Sequence, residues 1–204
     1  MPGRVFLAID PSPGVRGALA QSQQALRDGD HRWLGEKWVR PELLHVTVRF
    51  VGPMDDSDVS RLLGALRAGI SEQRPFELAL RGVRGMPDLR RASMLWATLG
   101  GDAEVLRRLC ATVDGAVSAA TGIEPVPRAL RPHVTLARAR RPHRLDRAAI
   151  DAASAYLGSC GKDPDGIVSV RSLTLYASTL GPAGPTYAPL GEVALRLPGL
   201  EGCD

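Results

Sequence analysis

The pattern of apolar and polar residues predicts a mixture of short strands and amphipathic helices. Residues 4–9 form an apolar run of strand length that ends at the turn-forming sequence Asp-Pro-Ser-Pro. Further runs typical of strands cover residues 43–51, 76–83, 93–99, 132–138, 168–170, 172–176 and 192–197. Apolar residues at helical spacing predict helices over residues 15–27, 55–70, 103–120 and 145–157.

Local signals support several of these boundaries. Asp55, Asp56 or Ser57 can cap the helix over 55–70, and Gly122 is a common stop for the helix over 103–120. Residues 158–166 and the Gly-Pro-rich residues 181–185 are expected to be loops. Because no flexible linker divides the chain, residues 1–204 are expected to form one α+β domain made of two similar halves.

The composition is that of a globular protein, with 44% hydrophobic and 24% charged residues. No stretch reaches the ~18 apolar residues that cross a bilayer. The first residues also lack the apolar segment of a signal peptide, so we expect a cytoplasmic protein. Cys110, Cys160 and Cys203 are far apart in the sequence, which argues against a disulfide framework and against a cysteine zinc site.

The charge pattern suits an anionic substrate without identifying one. The net charge is +4, and only Lys37 and Lys162 are lysine among 26 basic residues. This excess of arginine agrees with the coding bias of a GC-rich genome, so it does not by itself indicate nucleic-acid binding. Arginine does, however, bind phosphate through a planar two-pronged contact.

Two of the four histidines begin the same short motif, H-V-T-V at His45 and H-V-T-L at His133. Both motifs lie in predicted strands, one in each half of the chain. Because strand side chains alternate between the two faces, each histidine shares a face with the threonine two residues later, Thr47 or Thr135. The pattern therefore predicts two imidazoles and two hydroxyls that point into a common cleft.

These groups suit cleavage of a phosphodiester by water. One histidine can deprotonate the water while the other protonates the departing oxygen, because a pKa of about 6.5 leaves both forms accessible. The threonine hydroxyls can donate hydrogen bonds to the non-bridging oxygens. The scheme needs no metal or cofactor, no third His or Cys lies near either motif, and a G-x-S-x-G sequence is absent. His31 and His143 lie in polar segments and are expected to be solvated.

The paired H-x-T-x motifs resemble those of the two-histidine phosphoesterase superfamily. Their flanks are similar to the bacterial and archaeal RNA 2′,3′-cyclic phosphodiesterases, also called 2′-5′ RNA ligases. The similar segments are VFLAID, WVRPELLHVTVRFVG, PFELALRGVRGMP, LWATLGG, RPHVTLARAR and LTLYASTLGPAGPTYAPL. The resemblance implies a bilobal fold of duplicated halves with antiparallel-rich sheets around a cleft. It also implies opening of a 2′,3′-cyclic phosphate to a 2′-phosphomonoester, reversible as 2′-5′ ligation.

The resemblance also implies roles for individual residues. His45 would be the proton donor and His133 the proton acceptor, while Thr47 and Thr135 would hold the phosphate. Arg138, which follows the second motif, matches an arginine that the family places at the phosphate.

Strand alternation favours a different arginine. It places Arg49 on the face of His45, whereas Arg138 falls opposite His133 unless the strand ends or bulges before it. Both arginines are therefore candidates for phosphate binding. The same alternation turns Phe50 away from His45 and toward the core.

The expected partners are RNA ends or nucleoside 2′,3′-cyclic phosphates, without a membrane, and nothing in the sequence requires more than a monomer. Trp38 and Trp96 could stack a base at the rim of the cleft, although a core position is favoured for Trp96 in mid-strand. Two alternatives stay open. One is a non-catalytic nucleotide- or RNA-binding module of the same fold. The other is a phosphodiesterase for a small molecule such as ADP-ribose 1″,2″-cyclic phosphate.

Overall fold

The structure is a computed structural model that describes residues 4–125, 131–182 and 184–196. Its helices are α1 (Pro13–Gly29), α2 (Asp56–Ile70), α3 (Ala103–Thr121) and α4 (Arg147–Cys160). Its strands are β1 (Arg4–Ile9), β2 (Lys37–Trp38), β3 (Val46–Pro53), β4 (Phe76–Met86), β5 (Ala92–Gly101), β6 (His133–His143), β7 (Ile167–Val170), β8 (Ser172–Gly181) and β9 (Gly184–Ala194).

The strands form one antiparallel sheet. Its order is β7-β4-β5-β6-β3-β1-β8-β9, and β2 lies beside β6. This confirms the predicted α+β class with an antiparallel-rich sheet. β3 and β6 meet through one residue pair, Val46 and Val134, so this contact joins the five strands on the β6 side, β2 included, to the four on the β3 side.

The helices begin and end where capping chemistry allows. The Asp55 carboxylate accepts a hydrogen bond from the backbone N–H of Asp58 at the start of α2, as one of the predicted caps. Gly122 ends α3 with φ of 71°, a left-handed conformation that favours glycine. Helix α1 packs against α4 and α2 against α3. None of the described helices is long and apolar enough to cross a membrane.

One sheet face packs the hydrophobic core against the helices, and the other carries the polar site. Leu7, Val46 and Val134 belong to the hydrophobic core, which the helices cover. The opposite face of β3 and β6 holds half-buried histidines and threonines. The alternation of side chains along each strand therefore separates the core from the candidate chemistry.

The bounds of several predicted segments differ from the structure. Strand β9 begins at Gly184 rather than at 192, because Gly181 and Gly184 close a tight hairpin with β8 where a longer loop was expected. Its predicted end, residue 197, lies outside the described residues. Helix α4 continues through Cys160 into the loop predicted over 158–166. Cys110 and Cys160 are free thiols, and Cys203 lies outside the described residues.

Candidate active site

The pairing of Val46 with Val134 brings the two motifs together. Both valines point into the core, where they are 1% and 0% exposed. Because β3 and β6 are antiparallel, this register crosses the motifs, so that each histidine lies beside the threonine of the other motif. The polar residues that meet on the free face are His45, Thr135, His133 and Thr47.

Each imidazole is held in the same way. The Nδ1 atom of His45 lies 2.8 Å from the carbonyl oxygen of Leu43, and Nδ1 of His133 lies 2.8 Å from that of Arg131. Because a carbonyl oxygen can only accept, Nδ1 donates and carries the proton in the neutral ring. Nε2 is then left for proton transfer, and in His45 it lies 3.1 Å from Thr47 Oγ1.

Burial lowers the pKa of both histidines below the usual value, because it disfavours the charged ring. At His45, the bond to Leu43 and the negative charge of Asp10 oppose this shift of the pKa. At His133, the positive charge of Arg138 lowers the pKa further. Neutral pH therefore favours uncharged rings, which suits a proton acceptor.

Aromatic rings support both imidazoles. The ring of Trp96 stacks on His133 with a centroid distance of 3.7 Å and an interplanar angle of 18°. His45 has Phe6 and Tyr187 as ring neighbours, at 5.0 Å and 5.4 Å. The core position predicted for Trp96 is wrong, because the alternation along β5 turns it toward the cleft.

A β-bulge in β6 brings Arg138 to the cleft. Thr135 and Ala137 pair with adjacent residues of β5, which leaves Leu136 unpaired between them. The extra residue reverses the alternation, so Arg138 shares the face of Thr135. Simple alternation had placed Arg138 on the opposite face unless a bulge occurred, and the structure has that bulge.

The charge of Arg138 acts on both sides of the cleft. Its charge lowers the pKa of His133, and it also opposes the rise that burial causes in the pKa of Tyr187. Its Nη1 atom is 3.0 Å from Met94 Sδ on β5. The exposed guanidinium is thus positioned at the entrance to the site.

A matching bulge in β3 removes Arg49 from the cleft. Val48 is the unpaired residue, and Arg49 turns toward α3, where it is 8% exposed. Its Nε lies 3.2 Å from Asp114 Oδ1, and its Nη2 donates to the Glu124 carbonyl at 2.9 Å. The prediction that Arg49 shares the face of His45 is therefore wrong.

The same bulge returns Phe50 to the cleft face. Phe50 is 61% exposed, and its ring centroid is 5.9 Å from that of Phe6, the neighbour of His45. The core position predicted for Phe50 and the cleft position predicted for Arg49 are wrong for the same reason. Without the bulge, Arg49 would face the cleft and Phe50 would face the core.

A cavity of about 260 Å³ opens beside His45. Within it, Asp10 Oδ2 accepts hydrogen bonds from Thr174 Oγ1 and Tyr176 Oη, both at 2.9 Å. The lining residues are Asp10, Glu42, Leu43, Leu44, His45, Tyr176, Tyr187 and Pro189. Sequence reasoning missed Asp10 and Tyr187, because long-range strand pairing rather than a local motif brings them to His45.

The other predicted aromatic and histidine positions lie away from this cluster. His31 is exposed, as predicted. His143 is not solvated, because its Nε2 lies 2.6 Å from Glu36 Oε1. Trp38 pairs with Ala137 and so turns to the other face of the sheet. Among the described residues, no three His, Cys, Asp or Glu side chains come together as a metal site.

Comparison with known proteins identifies the family. A profile of the LigT-like phosphoesterases matches residues 9–96. An RNA 2′,3′-cyclic phosphodiesterase of Aeropyrum pernix is 32% identical over 87% of this chain and 94% of its own length. One of Methanothermobacter thermautotrophicus is 28% identical over 92% of this chain and 96% of its own.

Solved structures agree with these relatives. A Thermus thermophilus protein superposes with a TM-score of 0.72 at 25% identity, over 95% of this chain and 98% of its own. Escherichia coli LigT without ligand has the same fold, with a TM-score of 0.66 at 23% identity over 96% and 99% of the two chains. The resemblance inferred from the paired motifs is thus confirmed, and the chain belongs to the LigT-like phosphoesterase family, together with the RNA 2′,3′-cyclic phosphodiesterases.

Proposed function

We propose that this protein opens 2′,3′-cyclic phosphates at RNA ends and leaves a 2′-phosphomonoester, with His45 and His133 as the acid and base. The observation that carries the proposal is the Val46–Val134 pair, which sets the two imidazoles diagonally across the strand pair, each with its Nδ1 on a carbonyl oxygen. The naming of two well-covered relatives as RNA 2′,3′-cyclic phosphodiesterases supports the substrate class.

The proposed reaction is an in-line displacement at phosphorus. His133 Nε2 takes a proton from water while the water oxygen forms a bond to phosphorus. The bond from phosphorus to O3′ breaks, and O3′ takes the proton from Nε2 of His45. The phosphate stays on O2′, and each histidine ends in the protonation state in which the other began.

The remaining groups would stabilise the charge on phosphorus. Thr47 and Thr135 can each donate a hydroxyl hydrogen bond to a non-bridging oxygen. Arg138 can add a charge-assisted contact from the entrance of the cleft. In this scheme O3′ departs beside His45, so the cavity that His45 lines would receive part of the terminal nucleoside.

The same geometry would permit ligation. A 5′-hydroxyl can take the place of water, give its proton to His133 and attack phosphorus. The product would be a 2′-5′ bond between two RNA ends, formed through the same proton transfers. Incubating a cyclic-phosphate end with a 5′-hydroxyl RNA would test this, because ligation yields a longer RNA.

The decisive experiment uses a short RNA that ends in a 2′,3′-cyclic phosphate, with EDTA present and the products resolved by chromatography. We expect a 2′-phosphate product from the wild-type protein. The variants His45→Ala and His133→Ala should lose turnover by roughly a thousandfold or more, since each removes one proton-transfer group.

His31→Ala is the matched control, because His31 is exposed and lies outside the cluster. It should keep wild-type activity. A 3′-phosphate product would show that the other oxygen leaves, which contradicts the proposed direction. An untouched RNA, or full activity in either cluster variant, would overturn the proposal.

A further inference from the structure

Lys37 and Arg138 form a like-charge pair across two strands. Lys37 in β2 lies directly opposite Arg138 in β6, so both side chains belong to the cleft face. Both residues are exposed. Like charges directly opposite each other destabilise a sheet unless an anion lies between them.

No carboxylate compensates this pair within the described part of the chain. Glu36 precedes Lys37 in sequence, but its oxygens bind elsewhere. Oε1 lies 2.6 Å from His143 Nε2, and Oε2 accepts the backbone N–H of Arg140 at 2.8 Å. Among the residues that the structure describes, the two cations therefore lack a protein counter-ion.

A third cation lies on the same face, on the far side of Trp96. Arg84 in β4 pairs with Trp96, and Trp96 pairs with Thr135 of the second motif. Arg84 is exposed and forms no ion pair with the described residues. Neighbouring strands are about 4.8 Å apart, so its backbone lies roughly 10 Å from that of Thr135.

The two sides of the cleft thus differ in how their charges are paired. The cavity beside His45 is lined by Asp10 and Glu42, whose carboxylates form ion pairs with Arg16 and Arg40. The side beside His133 carries Lys37, Arg138 and Arg84 across the strands β2, β6, β5 and β4. A span of about four strands exceeds the size of one phosphate, so it suits a polyanion with repeated charges.

We propose that these three residues form a cationic strip that binds backbone phosphates of the RNA next to its cyclic end. The substrate would then be an RNA strand rather than a mononucleotide. This inference rests on the proposed function. Arg138 serves both the reacting phosphate and the strip, whereas Lys37 and Arg84 serve only the strand.

The test compares a nucleoside 2′,3′-cyclic phosphate with a short RNA that ends in the same nucleotide and cyclic phosphate. For the wild-type protein, kcat/KM should be higher on the RNA and should fall more steeply with salt. Lys37→Ala and Arg84→Gln should each lower kcat/KM on the RNA roughly fivefold. Each should also reduce the slope of log kcat/KM against log salt by about 0.7.

The mononucleotide provides the internal control. Both variants should open it at the wild-type rate, which also shows that they are folded. Arg67→Gln removes the same charge from the exposed side of α2 and should leave kcat/KM unchanged on both substrates.

Equal wild-type kcat/KM on the two substrates would overturn the proposed strip. It would also be overturned if the variants kept the wild-type preference for RNA, or if their kcat/KM fell equally on both substrates. If the wild-type protein opens neither substrate, the proposed function itself fails.

Discussion

Val48 in β3 and Leu136 in β6 are equivalent bulge residues, each left unpaired three positions after the histidine that begins its motif. Each bulge brings the fifth position after the histidine back to the cleft face. That position is Phe50 in the first motif and Arg138 in the second. The two equivalent bulges therefore present an aromatic ring on one side of the cleft and a cation on the other.

Substitutions of the two candidate arginines should affect different properties, namely stability at Arg49 and activity at Arg138. Arg49→Met leaves the partly exposed Asp114 carboxylate without its ion-pair partner. We expect the free energy of unfolding to fall by about 2 kcal/mol, less than for a fully buried pair, with near wild-type kcat. Arg138→Met should leave the free energy of unfolding nearly unchanged and lower kcat/KM roughly tenfold.

Urea unfolding and initial rates on the cyclic-phosphate RNA measure the two effects. The reverse pattern, with Arg49→Met impaired in kcat and Arg138→Met impaired only in stability, would contradict the placement of these side chains.

The two threonines should contribute mainly to the chemical step. Thr47→Val and Thr135→Val keep the shape of the side chain but remove the hydroxyl donor. We expect kcat to fall by about 10- to 100-fold for each variant. Steady-state kinetics measures this effect, and Thr179→Val, an exposed change on β8, is the matched control. A change confined to KM would instead indicate that the hydroxyls act only in binding.

The pH profile should be displaced toward acid. The proposed mechanism requires a neutral His133 and a protonated His45, and burial lowers the pKa of both. As pH rises, kcat/KM should therefore increase through the lower of the two pKa values and decrease above the higher one. The maximum should therefore lie below about pH 6.5, the ordinary histidine pKa.

Asp10→Asn provides a second pH measurement. The negative charge of Asp10 raises the pKa of His45, so its removal should move the limb of the profile that reports His45 to still lower pH. A falling limb above pH 7 in the wild-type protein, or an unmoved limb in the variant, would disprove this assignment.

Trp96 should act as a positioning residue for His133. Its ring stacks on the imidazole at 3.7 Å, which orients Nε2 and favours the imidazolium that forms when His133 accepts a proton. Trp96→Leu should lower kcat roughly tenfold with little change in KM. Trp96→Phe should restore most of the activity, because it keeps an aromatic face. Equal activity of the Leu and Phe variants would show that only packing matters.

Local sequence was sufficient to locate most of the elements and the two histidine motifs, although it missed β2 and the first half of β9. The alternation of period two and the helical spacing depend on residues close together in the chain, and both continue through each predicted element. The repeated H-x-T-x motif places His and Thr on one face of any strand, whichever strand is its partner. These features follow from backbone geometry alone.

Tertiary structure decided which neighbours reach the histidines. A bulge depends on how a strand pairs with its partner. Alternation within β3 alone therefore assigned Arg49 and Phe50 to the wrong faces of the sheet. Asp10 and Tyr187 approach His45 only because β1, β8 and β9 follow one another in the sheet. The chain's own periodicity therefore specifies each half of the site, while pairing between distant strands specifies what surrounds it, since long-range register has no local signal.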